Sequence, residues 1–143
     1  MGRIQLIRMP AWKAARRANT ERIWQVAHDC PGCGCRLIPE HIEHAAYKRY
    51  VFVEPKRQAE GWDCDRIQAA IVERGMPCFS GSCSEVYREK AFNGTGWRPQ
   101  TPLPVARELG ETSLRFLCHP TLTDAEIDKT CRVIQEVMSE TAG

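Results

Sequence analysis

The most regular alternation of hydrophobic and polar positions lies at the end of the chain. Ile127, Cys131, Ile134, Val137 and Met138 recur at i, i+4, i+7, i+10 and i+11, the spacing that lines up side chains on one face of an α-helix. Thr123 and Glu126 precede the run as a capping box. Each side chain there satisfies a backbone N–H that the first helical turn leaves open. A second helical pattern covers residues 3–28. Ile4, Ile7, Ala11, Ala14 or Ala15, and Ala18 share a face that Trp12, Ile23, Val26 and Ala27 widen, with Arg16, Arg17, Glu21 and Arg22 mostly opposite. Pro10 removes one backbone donor, so a kink or a fresh helix start is expected there. A third helix runs from an N-cap at Asp63 to Arg74, with Ile67, Ala70 and Ile71 inward. Gly75 and Pro77 follow as stop signals.

A period of two marks residues 47–53. Tyr47, Arg49, Val51 and Val53 fall on one face, Lys48, Tyr50 and Phe52 on the other. Both faces carry apolar residues near the end, which predicts a central strand. Cys78 and Phe79 begin a second, short strand, and residues 113–118 form a third that His119-Pro120 ends. Residues 85–92 read as a short helix, and residues 97–104, with three prolines, as irregular. Residues 105–110 read as one or two helical turns closed by Gly110. Residues 29–45 break the pattern, and residues 29–35 are turn chemistry. The pattern predicts an α+β fold: a small, three-stranded, mainly antiparallel sheet covered by helices, with a long N-terminal helix.

A chain of 143 residues suits one core. Its net charge of +2, with no basic tract, gives no reason to expect nucleic acid. No apolar run approaches the roughly 18 residues that span a bilayer. The first residues lack the apolar region of a signal peptide, so the eight cysteines are expected as reduced thiols in the cytoplasm. Cys64, Cys78, Cys118 and Cys131 stand in or beside apolar segments, as small hydrophobes do. Cys30, Cys33 and Cys35, with His41 and His44 nearby, offer half of a zinc site. No second paired motif completes it, so a surface turn is the default and no metal is expected.

One loop stands out chemically. Ser80, Gly81, Ser82, Cys83, Ser84 and Glu85 are almost all small and polar. Such a loop after a buried strand leaves hydroxyls and backbone N–H groups accessible to a ligand. Ser80, Gly81, Ser82, Ser84 and Glu85 are the candidate ligand-facing residues. The competing reading makes Ser84 a helix cap and Glu85 a first-turn carboxylate that favours the helix dipole. Cys83 with His119 is the best available nucleophilic pair, but nothing positions an orienting third residue. There is no Gly-rich phosphate loop. The residues by themselves describe an α+β module without a complete active site, and no catalytic residue is assigned.

The chain resembles the C-terminal part of the DegT/StrS-type sugar aminotransferases, pyridoxal phosphate-dependent enzymes of fold type I. Gly2-Arg3-Ile4-Gln5-Leu6, Trp12, Arg16, Arg17 and Asn19 match the helix between the large and small domains. Residues 47–53 match the first small-domain strand, and Arg74-Gly75-Met76-Pro77-Cys78 the helix stop and second strand. Leu103-Pro104-Val105-Ala106, Leu109, Ser113-Leu114, His119-Pro120 and residues 122–127 match the closing stretch. Each match is weak alone; the ordered set is specific.

The resemblance implies residues 1–28 as an interdomain helix and residues 29–143 as the small domain. The large domain would carry the Schiff-base lysine, its aspartate partner and most phosphate contacts. None of Lys13, Lys48, Lys56, Lys90 or Lys129 falls at the family's lysine position, so the chain is expected to be one piece of the enzyme. It would bind no pyridoxal phosphate and be inactive alone. The implied partners are the large domain, a second copy of the enzyme and a nucleotide-linked keto-sugar used in amino-sugar and polysaccharide synthesis. The amino donor would be glutamate. Many relatives have His-Tyr after the second strand where Gly81-Ser82 stand here, which leaves the sugar open. Arg115 replaces a common proline. A stand-alone binding or regulatory module that kept the fold without the chemistry is the alternative; the sequence upstream of Met1 would separate the two.

Overall fold

The computed structural model describes residues 2–36, 38–81 and 83–143. Among the described residues four α-helices and four strands follow in order: α1 (Gly2–Asp29), β1 (Cys33–Gly34), β2 (Arg49–Val53), α2 (Cys64–Glu73), β3 (Cys78–Ser80), α3 (Pro104–Thr112), β4 (Ser113–Phe116) and α4 (Asp124–Thr141). The sheet runs β1-β2-β4-β3 and is antiparallel at every pairing. Val51 stands opposite Leu114, Cys78 opposite Phe116, and Cys33 opposite Val53. The α+β expectation holds, with one strand more than the sequence predicts. The extra strand is the two-residue β1, inside the segment whose composition signals a turn.

β2 is an interior strand, as its two-faced pattern predicts. Arg49, Val51 and Val53 are buried, and Tyr50 and Phe52 are half-buried. The buried residues of the sheet and of α4 belong to one apolar core, and α4 packs against α1 and α2. Ile127, Ile134, Val137 and Met138 of α4 are at most 2% exposed, whereas Cys131 is only half-buried. The capping box forms: the Thr123 N–H donates to Glu126 Oε2 at 2.7 Å and the Glu126 N–H to Thr123 Oγ1 at 3.3 Å. Asp63 caps α2 by accepting from the Arg66 N–H at 2.8 Å.

Four local expectations are corrected. α1 continues through Pro10 as one helix, so the proline does not begin a fresh one. The face predicted for its first half is not buried: Ile4, Leu6, Ile7 and Met9 are exposed, and burial starts at Asn19 and Thr20 and continues with Ile23 and Ala27. α3 extends past Gly110 to Thr112. Residues 85–92 are not an α-helix but two single 3₁₀ turns, Val86–Arg88 and Lys90–Phe92. No helix among the described residues is long and apolar enough to cross a membrane.

Candidate functional site

The loop after β3 is set by two glycines. The Gly81 N–H donates to the Ser113 carbonyl at 2.9 Å. A side chain at Gly81 would fall inside van der Waals contact of Ser113 Oγ and 3.1 Å from Ser113 Cβ. A side chain at Gly110 would likewise meet Ser84 Oγ, with Ser84 Cβ 3.4 Å away. The loop is therefore pressed onto the junction of α3 and β4, with Ser84 against the end of α3.

Beyond the loop, residues 83–103 fold on themselves. Tyr87 Oη donates to Glu85 Oε1 at 2.5 Å and accepts from the Leu103 N–H at 3.1 Å. Arg88 Nη1 reaches Glu85 Oε2 at 3.1 Å. The Tyr87 hydrogen bond, then the Arg88 hydrogen bond and charge, hold the Glu85 carboxyl below the usual carboxylate range. Arg98 Nη2 donates to the carbonyls of Arg88 and Glu89 at 3.0 and 3.1 Å, and to Asn93 Oδ1.

Ser80 is exposed at the end of β3, and Gly81, Ser84 and Glu85 are half-buried. Ser82 lies outside the described residues. The capping role read for Ser84 is not taken: the N-cap of the first 3₁₀ turn is Glu85, and no side chain caps it. A turn this short leaves fewer orphan N–H groups for a cap than an α-helix does. Cys83 and His119 are not joined by a hydrogen bond. Cys83 donates to Glu89 Oε1 at 3.3 Å, and this contact pushes its thiol up. His119 Nδ1 faces Thr121 Oγ1 at 2.7 Å.

Cys33 donates to the Ala27 carbonyl at 2.9 Å, and Cys35 faces the Trp24 carbonyl at 3.9 Å. Burial pushes the Cys35 thiol up to about 11. The contact between Cys30 and Cys33 moves their thiols in opposite directions, Cys30 down and Cys33 up. Among the described residues no group of three His, Cys, Asp or Glu side chains is arranged to hold a metal.

The lysines test whether this chain could seat pyridoxal phosphate by itself. Lys13 pairs with Glu43, Lys48 lies over the Tyr47 ring, and Lys129 donates to the Gly75 carbonyl at 3.3 Å. Lys56 and Lys90 are exposed. No lysine among the described residues is buried.

A cavity of about 380 Å³ lies between α1 and residues 38–46, lined by Thr20, Trp24, Ile38 and Ala46 among others. Arg49 also lines it. Arg49 is 3% exposed, and its guanidinium lies against the Trp24 ring. Burial pulls its pKa down to about 10. The sequence carried the signal for this residue, a charge in the inward register of β2, but not the cavity.

The model of the DegT/DnrJ/EryC1/StrS aminotransferase family matches residues 1–135. An aminotransferase from Psychrobacter cryohalolentis is similar at 46% identity and a TM-score of 0.90, over 97% of this chain and 37% of that one. DesV of S. venezuelae, in complex with a ketimine intermediate, is similar in fold at 18% identity and a TM-score of 0.80, over 95% of this chain and 34% of its own. DesI, in the presence of its TDP-sugar product, is similar at 16% identity and a TM-score of 0.77, over 94% of this chain and 33% of its own. The chain thus spans about a third of these enzymes. No curated protein matches it.

Proposed function

The chain belongs to the DegT/DnrJ/EryC1/StrS aminotransferase family, and from that premise we propose that it is the small domain of a pyridoxal phosphate-dependent sugar aminotransferase. In this reading α1 joins it to a large cofactor-binding domain, and residues 29–143 wall one side of the active site. The complete enzyme, as a homodimer, transfers an amino group from glutamate to a keto-sugar on a nucleotide carrier. The observation that carries the proposal is the family match, which runs through almost the whole chain in order. The bound groups named for DesV and DesI belong to those proteins, and support the substrate class by likeness of fold.

The same reading makes the loop at 80–85 the part nearest the sugar. Ser80, Gly81, Ser82, Ser84 and Glu85 would present hydroxyls, a small backbone surface and one carboxylate to its hydroxyl groups. Glu85 is held by Tyr87 and Arg88. Its role is therefore to accept from a hydroxyl through the lone pairs these partners leave free.

Two measurements test this function. The isolated chain mixed with pyridoxal phosphate should give no Schiff-base absorbance that survives dialysis; a stable stoichiometric signal would refute its dependence on a large domain. In the complete enzyme, Ser82→Ala should lower kcat/KM for the keto-sugar roughly tenfold, about the worth of one hydrogen bond, with stability nearly unchanged. Full activity of that variant would remove the loop from the substrate-facing side.

A further inference from the structure

The chain holds two asparagines, Asn19 and Asn93, and the fold treats them oppositely. Asn19 is buried within α1, precedes a β-branched threonine, and donates to the His119 carbonyl at 3.2 Å. Asn93 is exposed and precedes Gly94. Its φ of −66° and ψ of 127°, with Gly94 at φ +72°, match the two central positions of a type II turn. The Thr95 N–H closes that turn by donating to the Phe92 carbonyl at 3.5 Å.

The groups that an attack of the backbone on the Asn93 amide requires are open here. The Gly94 N–H donates no hydrogen bond among the described residues. A Cβ at Gly94 would meet nothing within 4 Å, so nothing crowds the nitrogen. On the other side, Arg98 Nη2 donates to Asn93 Oδ1. A guanidinium at that oxygen makes the amide carbon more electrophilic and stabilises negative charge that develops on Oδ1. Cyclisation needs a rotation of roughly a third of a turn about the Asn93 ψ bond, which a following glycine leaves free. Arg98 is itself exposed, so its long side chain follows the carbonyl as the turn swings.

We propose that Asn93 is a self-modification site, which deamidates through Gly94 with Arg98 as the group that activates its carbonyl. The Gly94 nitrogen loses its proton to solvent base and bonds to Asn93 Cγ. The Cγ–Nδ2 bond breaks, and ammonia leaves with a proton from water. Water then opens the five-membered succinimide at either carbonyl, giving aspartate or isoaspartate at this position. The aspartate stands where Arg98 already reaches and forms an ion pair with it. The isoaspartate adds a methylene to the backbone and breaks the turn. The inference rests on this chain's own geometry and is independent of the aminotransferase reading.

The test is incubation of the chain at mildly alkaline pH and body temperature, followed by proteolysis and mass spectrometry. The peptide with Asn93 is expected to gain about 1 Da, as two products of different retention, while the peptide with Asn19 gains none. Enzymatic methylation reads the isoaspartate fraction separately. Arg98→Met should slow the gain at Asn93 roughly three- to tenfold, less than a buried oxyanion donor is worth because water screens this one. Arg98→Gln keeps a neutral donor and should fall between the two; it carries the test if Arg98→Met does not fold. Three results would overturn the proposal. One is no mass gain at Asn93 over a period in which a free peptide of residues 90–97 converts fully. Another is a gain at Asn19 as fast as at Asn93, which would mean that the chain reacts unfolded. The third is Arg98 variants that react as fast as the parent or faster, which would mean that the contact restrains the side chain instead of activating it.

Discussion

Gly81→Ala probes how tightly the candidate substrate loop is seated. The new methyl group would fall inside contact of Ser113 Oγ and 3.1 Å from Ser113 Cβ. Ser113 is 5% exposed, and its hydroxyl donates to the Leu109 carbonyl. Rotating the hydroxyl away forfeits that hydrogen bond, about 1 kcal/mol, and leaves the Cβ crowding in place. Overpacking of this kind costs ~1–3 kcal/mol. Gly81 is not among the glycines with positive φ, so alanine fits the backbone and recovers about 0.4–1 kcal/mol through the unfolded chain. The net expectation is a loss of about 1–3 kcal/mol, read as a lower urea midpoint at unchanged slope. Ser113→Gly removes both crowding atoms. Combined with Gly81→Ala it should show a coupling of about 1 kcal/mol or more in a double-mutant cycle. Ser113→Ala, which keeps Cβ, should rescue less. If Gly81→Ala is as stable as the parent within ~0.3 kcal/mol, or its cost is the same beside Ser113→Gly, the loop does not bear on β4 as described.

Two other outcomes are expected. Ile134→Ala should cost ~2–5 kcal/mol in chemical denaturation, because Ile134 is 1% exposed among the sheet and α2 and loses about three buried carbons; a loss below ~0.5 kcal/mol would place it on the surface. Cys83, the one exposed thiol among eight, should be the first alkylated by iodoacetamide. Glu89 raises its pKa, so Glu89→Gln should increase the thiolate fraction and the rate at neutral pH; an unchanged rate would remove Glu89 from that contact.

The parts of the fold legible in the sequence are those where local and global signals agree. α4 announces itself by a capping box and an apolar stripe, and both are realised. β2 was legible as central because both faces are apolar, and its inward Arg49 was legible as a position, though not as the wall of a cavity. β1 was not legible. Two residues carry no periodicity, and Cys33 and Gly34 are held by pairing with Val53 and Phe52, a tertiary cause. The stripe at Ile4 and Ile7 was real, but a helical period says only that a face is apolar, not that this chain covers it. For the loop at 80–85, small polar residues indicated access. They did not reveal the docking of Gly81 and Gly110 against neighbouring serines, or that Tyr87 and Arg88 engage Glu85.

The uninterrupted α1 has a mechanical consequence. From Asn19, where burial begins, back to Gly2 is about 26 Å of helix at 1.5 Å per residue, and residues 2–11 are exposed throughout. Such a segment is a lever with its fulcrum in the α1–α4 contact. A rotation of about 5° there would carry the first turn by roughly 2 Å. Small repacking around Ile23 and Ala27 would therefore be magnified at whatever body the first turns of the helix engage, and motions of that body would return to the core as torque on a few buried side chains.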